Sequence, residues 1–243
     1  MKILAVDSTA KTASAALCDG ERLLAEYTLN NGNTHSETLL PMVEAILSAF
    51  AMKPHDVDLF ACSAGPGSFT GVRIGVATVK GLAFGSGRPA AGVSTLEALA
   101  RNLDHGDPAE EKVTPKIICP VMDARRGQLY TARFIRRGDG LERLTPDRAI
   151  SYTEFESETL PLGKVWLCGD GYELVHGLMP EGSAFDTPER LRYQSAYSVA
   201  MAALAAYGRG DYGNADTLSP VYLRLSQAER ERAERLARES ENK

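Results

Sequence analysis

Short apolar runs and stretches of helical period alternate along the first half of the chain. Apolar runs at Lys2–Asp7, Ala13–Cys18 and Glu21–Leu29 predict three strands, and the Asp19-Gly20 pair predicts a tight hairpin turn. Apolar residues at helical spacing follow and alternate with further strand-like runs, which predicts the order βββαβαβα. These later elements are a helix at Thr34–Phe50, a strand at Asp58–Ala64, a helix at Val72–Phe84, a strand at Ala90–Val93 and a helix at Ser94–Leu103.

A weaker form of this pattern returns in the second half. The apolar run Ile117–Asp123 again ends in an aspartate, and a polar turn leads to a second predicted strand at Gln128–Ile135. A strand, an aspartate, a turn and a returning strand therefore occur twice, which predicts an internal duplication. The second copy is shorter and keeps a strand at Lys164–Cys168 and helices at Tyr172–Leu178 and Ser195–Tyr207.

Polar segments divide the chain into three predicted parts. The stretch from Asp104 to Lys112 lacks any hydrophobic period, so we predict a boundary there between lobes at residues 1–104 and 105–225. The tail at residues 226–243 has mixed charge and almost no apolar face, which predicts an exposed helix with frayed ends.

Composition narrows the functional classes. A net charge of −5 argues against a protein that holds nucleic acid on a broad basic face. Cys18, Cys62, Cys119 and Cys168 show no CxxC spacing, so we expect buried free thiols in a reducing compartment. An aspartate interrupts the N-terminal apolar run too early for a signal peptide, and no run reaches the roughly 18–20 residues of a membrane span. We expect a soluble cytoplasmic protein without a membrane partner.

The densest group of glycines lies at residues 65–75, between a predicted strand and a predicted helix. Such a turn lets the backbone approach a ligand or another chain, and its free N–H groups lie near the positive end of the helix dipole. The loop has no Lys-Ser or Lys-Thr pair after its last glycine, and its GxGxxxG spacing is one residue longer than the dinucleotide-binding pattern. A structural turn and a ligand-binding loop both stay open.

Five ordered motifs resemble a known family. They are ILAVDST at 3–9, HSETLLP at 35–41, GPGSFTGVRIG at 65–75, MDARRGQLY at 122–130 and PVYLR at 220–224. With the repeated strand and aspartate, they resemble the bacterial TsaB (YeaZ) family of the actin, hexokinase and Hsp70 (ASKHA) superfamily. The resemblance implies an α/β, two-lobed, duplicated fold with mixed sheets and a truncated second lobe.

The resemblance also implies a function. Members of this family are non-catalytic subunits of the machinery that forms N6-threonylcarbamoyladenosine at position 37 of tRNAs reading codons that begin with adenine. The implied partners are the catalytic paralogue TsaD, the ATPase TsaE and a second copy of the chain through the same helices. ATP and a metal ion are expected on the catalytic partner, tRNA only through the complex, and no cofactor on this chain.

The alternative is an enzyme in its own right, a nucleotide-dependent phosphotransferase or ATPase that uses Asp7 and Asp123. Carboxylates at strand ends can hold a magnesium-bridged phosphate, and Ser8, Gly169 and Gly171 are further candidate nucleotide contacts. In the competing interpretation, which we favour, each aspartate accepts backbone N–H bonds within its own turn.

Two other polar groups are candidates for chemistry. The resemblance attributes to TsaD a pair of metal-binding histidines separated by three residues, whereas His35 has Asn31 and Leu39 at the matching positions. A single imidazole does not hold a metal ion, so we expect no metal site. The pair Arg125-Arg126 could clamp a phosphate or a carboxylate, although two arginines in a polar turn are more often solvated.

The helix after the glycine loop suggests a partner surface. It is apolar in nearly every direction between Val72 and Phe84, and such a helix must be covered on all sides. We expect this helix and the one at Thr34–Phe50 to form a partner interface, while burial within the monomer stays open as the alternative. The expected interface residues are His35, Leu39, Met42, Gly71, Val72, Ile74, Gly75, Val76 and Val79.

Overall fold

The computed structural model describes residues 1–32, 34–103, 116–137 and 140–224. They form two lobes, each built on a mixed β-sheet with helices packed against it. The predicted α/β class is therefore confirmed. The predicted boundary loop at 104–112 and the predicted tail helix at 226–243 lie outside the described residues.

The N-terminal lobe follows the predicted element order. Strands β1 (Lys2–Asp7), β2 (Ala13–Asp19) and β3 (Arg22–Leu29) pair antiparallel, whereas β4 (Leu59–Gly65) and β5 (Ala90–Ser94) add in parallel. The strand order is β3-β2-β1-β4-β5. The helices of this lobe are α1 (His35–Ala49), α2 (Phe69–Ser86) and α3 (Thr95–Arg101).

The boundaries of α2 follow from its capping residues. Ser68 accepts a hydrogen bond from the Gly71 N–H, which starts the helix three residues earlier than the apolar pattern predicts. Gly87 ends it in the left-handed backbone region, at φ 65°, where glycine is favoured.

The C-terminal lobe repeats the same sheet with interruptions. Its central strand β6 (Lys116–Arg125) pairs antiparallel with β7 (Gln128–Thr131) and β8 (Phe134–Arg137), which pair in turn with β10 (Arg148–Ser151) and β9 (Gly140–Arg143). The remaining elements are α4 (Tyr152–Thr159), β11 (Val165–Cys168), α5 (Tyr172–Leu178), β12 (Ala184–Phe185) and α6 (Ala196–Arg209). The order β10-β7-β6-β11-β12 matches that of the first sheet in sequence and direction, so the predicted duplication is confirmed.

A proline explains why the strand predicted at Gln128–Ile135 is divided into β7 and β8. The pattern predicts a continuous strand at Gln128–Ile135, but the chain leaves the sheet between β7 and β8. Pro120 of β6 lies opposite this break and has no N–H to donate to the ladder. Its carbonyl oxygen instead accepts a hydrogen bond from the Thr131 hydroxyl at 2.8 Å.

Helices cover both faces of the N-terminal sheet. Because side chains alternate along a strand, Leu4 and Val6 pack with α1 and α2 on one face, whereas Ile3 and Ala5 pack with α6 on the other. Thus α6, which lies in the predicted C-terminal part, completes the core of the N-terminal lobe. The four cysteines are free and buried, as predicted. No helix in the described part of the chain is long and apolar enough to cross a bilayer.

Candidate functional site: the cleft between the lobes

The two lobes meet at a cleft of about 600 Å³. Its walls are the turn after β1, the glycine loop before α2, the turn after β6, and the segment Val221–Arg224. The turns that follow the two repeated strands therefore converge on one place. The charged residues that line the cleft are Lys11, Asp123, Arg125, Arg126, Asp170 and Arg224.

Asp7 is turned away from this cleft. One carboxylate oxygen accepts hydrogen bonds from the Thr9 backbone N–H and hydroxyl, each at 2.8 Å, and the other accepts one from the Ser63 hydroxyl at 2.5 Å. The side chain is buried, and burial raises the pKa of the Asp7 carboxyl. This geometry agrees with the interpretation that the aspartate stabilises its own turn.

The glycine loop is packed tightly onto the turn that follows β1. A Cβ atom on Gly71 would lie 1.9 Å from the Ser8 carbonyl oxygen, and one on Gly67 would lie 2.6 Å from that of Thr9. The Ser68 N–H donates to the Thr9 carbonyl at 2.7 Å, and the Ser8 hydroxyl donates to the Gly71 carbonyl at 2.8 Å. These glycines permit a backbone contact within the chain, and Ser8 is not available to a nucleotide.

The turn after β11 in the second lobe also packs glycines closely against a backbone carbonyl group. A Cβ atom on Gly169 would lie 2.1 Å from the Val121 carbonyl oxygen, just as one on Gly65 would lie 2.2 Å from that of Val221. The Gly171 N–H donates to the same Val121 oxygen at 3.1 Å. Gly169 and Gly171, two candidate nucleotide contacts, are therefore used for packing within the chain.

Two carboxylates do line the cleft. Asp123 is exposed and accepts a hydrogen bond from the Arg125 N–H at 2.7 Å, as its turn interpretation predicts. Asp170 lies close by, and its burial, together with the negative charge of Asp123, raises its pKa to about 6. Asp170 was not a sequence candidate. The duplication could have identified it, because β11 takes the place of β4, whose following loop also lines the cleft.

Arg125 and Arg126 occupy a constrained turn at the cleft. Both have left-handed backbone geometry, with φ of 61° and 56°, which residues other than glycine rarely adopt. Neither has an ion-pair partner among the residues that the structure describes, and the same is true of Lys11 across the cleft. These side chains are positioned to meet an anionic group.

His35 has a local contact. It is the first residue of α1, and its Nε2 atom lies 2.7 Å from the Ala10 carbonyl oxygen. Within the described ranges, no group of three or more histidine, cysteine or acidic side chains is arranged to hold a metal ion. The His35 side chain thus connects α1 to the β1–β2 turn.

The predicted interface residues lie mostly inside the lobe. Most of them fill the core between the helices and the sheet, because α1 and α2 turn their largest side chains inward. The two glycines in the set accommodate Ser8. His35 and Ile74 are half-buried. The structure buries Leu39, Met42, Gly71, Val72, Gly75, Val76 and Val79, and their contact with a partner stays a prediction.

A largely different set of residues, which shares only Ile74 with the predicted one, forms the outward surface of these helices. Phe84 is 77% exposed and Leu40 45% exposed, so both present large apolar side chains to solvent. On α2 the exposed positions recur at helical spacing and are mostly small. We call this surface the α1–α2 face; it consists of Leu40, Pro41, Ile74, Ala77, Gly81 and Phe84.

Comparison with known proteins identifies the family. A family model described as "TsaD: tRNA N6-adenosine threonylcarbamoyltransferase" matches residues 22–175. The Escherichia coli (strain K12) "tRNA threonylcarbamoyladenosine biosynthesis protein TsaB" is 30% identical over 226 residues, covering 92% of this chain and 95% of that protein. The chain belongs to the TsaB family.

Further relatives agree with this assignment. The TsaB protein of Bacillus subtilis (strain 168) is 37% identical over 155 residues, a match that spans 64% of either chain. The structure described as "YeaZ from Pseudomonas aeruginosa" superimposes on this TsaB-family chain with a TM-score of 0.76 at 28% identity, covering 91% of this chain and 99% of that one. The resemblance to the TsaB (YeaZ) family and the two-lobed α/β fold with mixed sheets are therefore confirmed.

Proposed function

We propose that this TsaB-family chain is a non-catalytic subunit in the formation of threonylcarbamoyladenosine at position 37 of tRNA, and that it docks on a TsaD-type threonylcarbamoyltransferase. The names of its relatives support the process. The docking is carried by one observation, the exposed apolar α1–α2 face. TsaE joins the resulting complex as its ATPase.

The hydrogen bonds of Asp7 support a non-catalytic role. In the alternative function, a phosphotransferase or ATPase, Asp7 and Asp123 would hold a magnesium-bridged phosphate. Both oxygens of Asp7 already accept hydrogen bonds from Thr9 and Ser63, and the carboxylate is buried. Only one aspartate of the pair can therefore reach a ligand in the cleft.

The shape of the α1–α2 face favours a helical partner. Ala77 has only a methyl side chain and Gly81 has none. No atom lies within 4 Å of a Cβ atom placed on Gly81. A glycine in an exposed helix interior costs about 1 kcal/mol relative to alanine, so an open site of this kind favours close contact with another helix. Phe84 supplies a large apolar anchor at the end of the same stripe.

The identity of the proposed partner follows from the similarity of this chain to TsaD. The TsaD family model matches this chain across both α1 and α2, so a TsaD subunit would present an equivalent pair of helices. Two such pairs can associate in a pseudo-twofold arrangement. A second copy of this chain would use the same face, which makes the homodimer a competitor of the heterodimer.

Substitutions on the face test the docking. We expect Ala77→Asp to abolish a complex with TsaD, measured as the molar mass of the mixture by light scattering, because the new carboxylate would be buried without a partner. Phe84→Asp is expected to weaken the complex as well. Leu178→Asp is the matched control, since Leu178 is an exposed apolar residue of α5 in the other lobe.

Retention of full TsaD binding by Ala77→Asp, with a urea midpoint like that of the wild type, would contradict the docking proposal. Aspartate substitutions at Val72 or Val76 are unsuitable for this purpose. Both residues are buried, so such variants would unfold the subunit instead of exposing its interface.

A further inference from the structure

The mouth of the interlobe cleft carries an ordered stack of aromatic rings and a guanidinium group. The rings of Phe69 and Tyr222 are stacked, with centroids 4.7 Å apart and 26° between their planes. The Arg73 guanidinium carbon lies 3.9 Å from the Phe69 ring centroid, and its Nε donates to the Tyr222 hydroxyl at 2.8 Å. Tyr222 is nevertheless 41% exposed, so the stack offers an aromatic surface to a ligand.

Cations surround this stack. Lys11, Arg125 and Arg126 line the same cleft and have no ion-pair partner within the described residues. Arg224 donates to the Ala124 carbonyl at 2.5 Å, which fixes the turn that carries the two neighbouring arginines. In a chain of net charge −5, this is a local concentration of positive charge.

The two carboxylates that line the cleft do not cancel its positive charge. Asp123 accepts the backbone N–H of Arg125, and Asp170 lies near Lys11, whose positive charge acts to lower the pKa of Asp170. Against these two acids stand the cations Lys11, Arg125, Arg126 and Arg224. The cleft therefore retains a positive balance beside its aromatic surface.

We propose that this cleft binds a short segment of single-stranded RNA, with one base stacked on Tyr222 and the phosphates held by Lys11, Arg125 and Arg126. Aromatic rings stack on any base, and guanidinium groups bind phosphate oxygens in pairs. The inference rests on the proposed function, because the RNA reaches the cleft as part of the complex with TsaD.

The geometry favours a strand over a free mononucleotide. In a nucleotide-hydrolysing site, a glycine loop and an aspartate would face the phosphates and their magnesium ion. Here the Ser68 N–H donates to the Thr9 carbonyl, and Asp7 is enclosed in its own turn. The available charges instead lie along an open rim, which suits the backbone of a longer chain.

The position of Arg73 connects this cleft with the α1–α2 face. Arg73 precedes Ile74 on α2, so the aromatic stack borders the surface proposed to meet TsaD. In the proposed docking, the cleft would therefore border the TsaD subunit. This explains how an acidic subunit can add to RNA affinity within a complex while binding RNA poorly alone.

A binding measurement on the complex tests the inference. The probe is a fluorescein-labelled anticodon stem-loop RNA, titrated with the complex of this chain and TsaD and followed by fluorescence anisotropy. We expect Arg126→Glu to weaken binding about tenfold and to reduce the salt dependence, because a phosphate contact is lost. Tyr222→Leu should weaken binding about tenfold through lost stacking, and Tyr222→Phe should restore it.

The controls make each outcome decisive. Lys53→Glu changes an exposed cation outside the cleft by the same charge as Arg126→Glu and should leave RNA affinity unchanged. If the wild-type chain fails to bind TsaD by light scattering, the proposed function is overturned and the inference with it. If the complex forms and the cleft variants bind RNA like the wild type, the inference alone is overturned. Calorimetric titration with ADP and ATP tests whether the cleft is instead a mononucleotide site. Nucleotide binding by the wild type that is lost in the cleft variants, while their RNA binding is intact, would overturn the inference.

Discussion

Gly71 and Gly81 lie on the same helix and have opposite roles. A Cβ atom on Gly71 would lie 1.9 Å from the Ser8 carbonyl oxygen, whereas one on Gly81 would have no atom within 4 Å. The sequence pattern cannot distinguish them, because both belong to one apolar helical run. The difference arises from the turn after β1, which is distant in sequence and close in space.

The two glycines give a matched pair of substitutions. We expect Gly71→Ala to lower the free energy of unfolding by about 2 kcal/mol or more, since backbone must move to admit the methyl group. Gly81→Ala should raise it by about 0.5–1 kcal/mol, because alanine favours the helix. Urea unfolding measures both values. Equal effects of the two substitutions would contradict the packing described for the glycine loop.

Asp170 predicts a pH dependence of stability. Its folded-state pKa is raised from 3.8 to about 6, so its ionisation opposes folding, and this contribution to stability falls as pH rises between those values. We expect Asp170→Asn to raise the free energy of unfolding by about 1–2 kcal/mol at about pH 7.5, with the gain shrinking towards about pH 4. Glu181→Gln, at an exposed site of the same lobe, should change stability little at either pH.

At the scale of elements, α2 shows what a hydrophobic pattern can and cannot predict. Its run of apolar residues predicted the helix, and the capping role of Ser68 fixed its start. The same run does not show which sides of the helix pack on the sheet. Alanine and glycine count as apolar, but they also occur at solvent-exposed positions. The predicted interface on α2 therefore consists mainly of residues that the structure buries within the chain.

The helix α4 and the strands β9 and β10 were not predicted at all. Their sequences are short and polar, and of α4 only Phe155 and Thr159 are buried. Glu158 instead connects α4 to the sheet through ion pairs with Arg133, at 2.7 Å, and Arg148. Contacts of this kind join a helix to residues of other segments, so no local period indicates them.

The Glu158 ion pairs predict a second pH effect of opposite sign. The hydrogen bonds from Arg148 lower the pKa of Glu158, so this contribution to stability is present above the ordinary glutamate pKa and is lost as pH falls. We expect Glu158→Gln to lower the free energy of unfolding by about 1 kcal/mol at neutral pH and by little at about pH 3. Glu156→Gln on the same helix is the control. A loss that is independent of pH would contradict the ionic role.

At the scale of the whole molecule, the order of strands in the first lobe and the duplication could be predicted from the sequence. The turns that follow the two repeated strands line one cleft between the lobes. The details of that cleft could not be predicted, because Asp7 turns inward and Phe69 stacks on Tyr222 from the far end of the chain. Such contacts depend on tertiary packing rather than on any local sequence pattern.

In the proposed function, this chain is a docking subunit without chemistry of its own. The most direct test of this proposal is the rate at which TsaD and TsaE, supplied with an activated threonylcarbamoyl donor, form threonylcarbamoyladenosine in a tRNA transcript. The rate is measured without this chain, with the wild-type chain and with Ala77→Asp. We predict product with the wild type and at most a small residual rate in the other two reactions. An equal rate in all three reactions would contradict it.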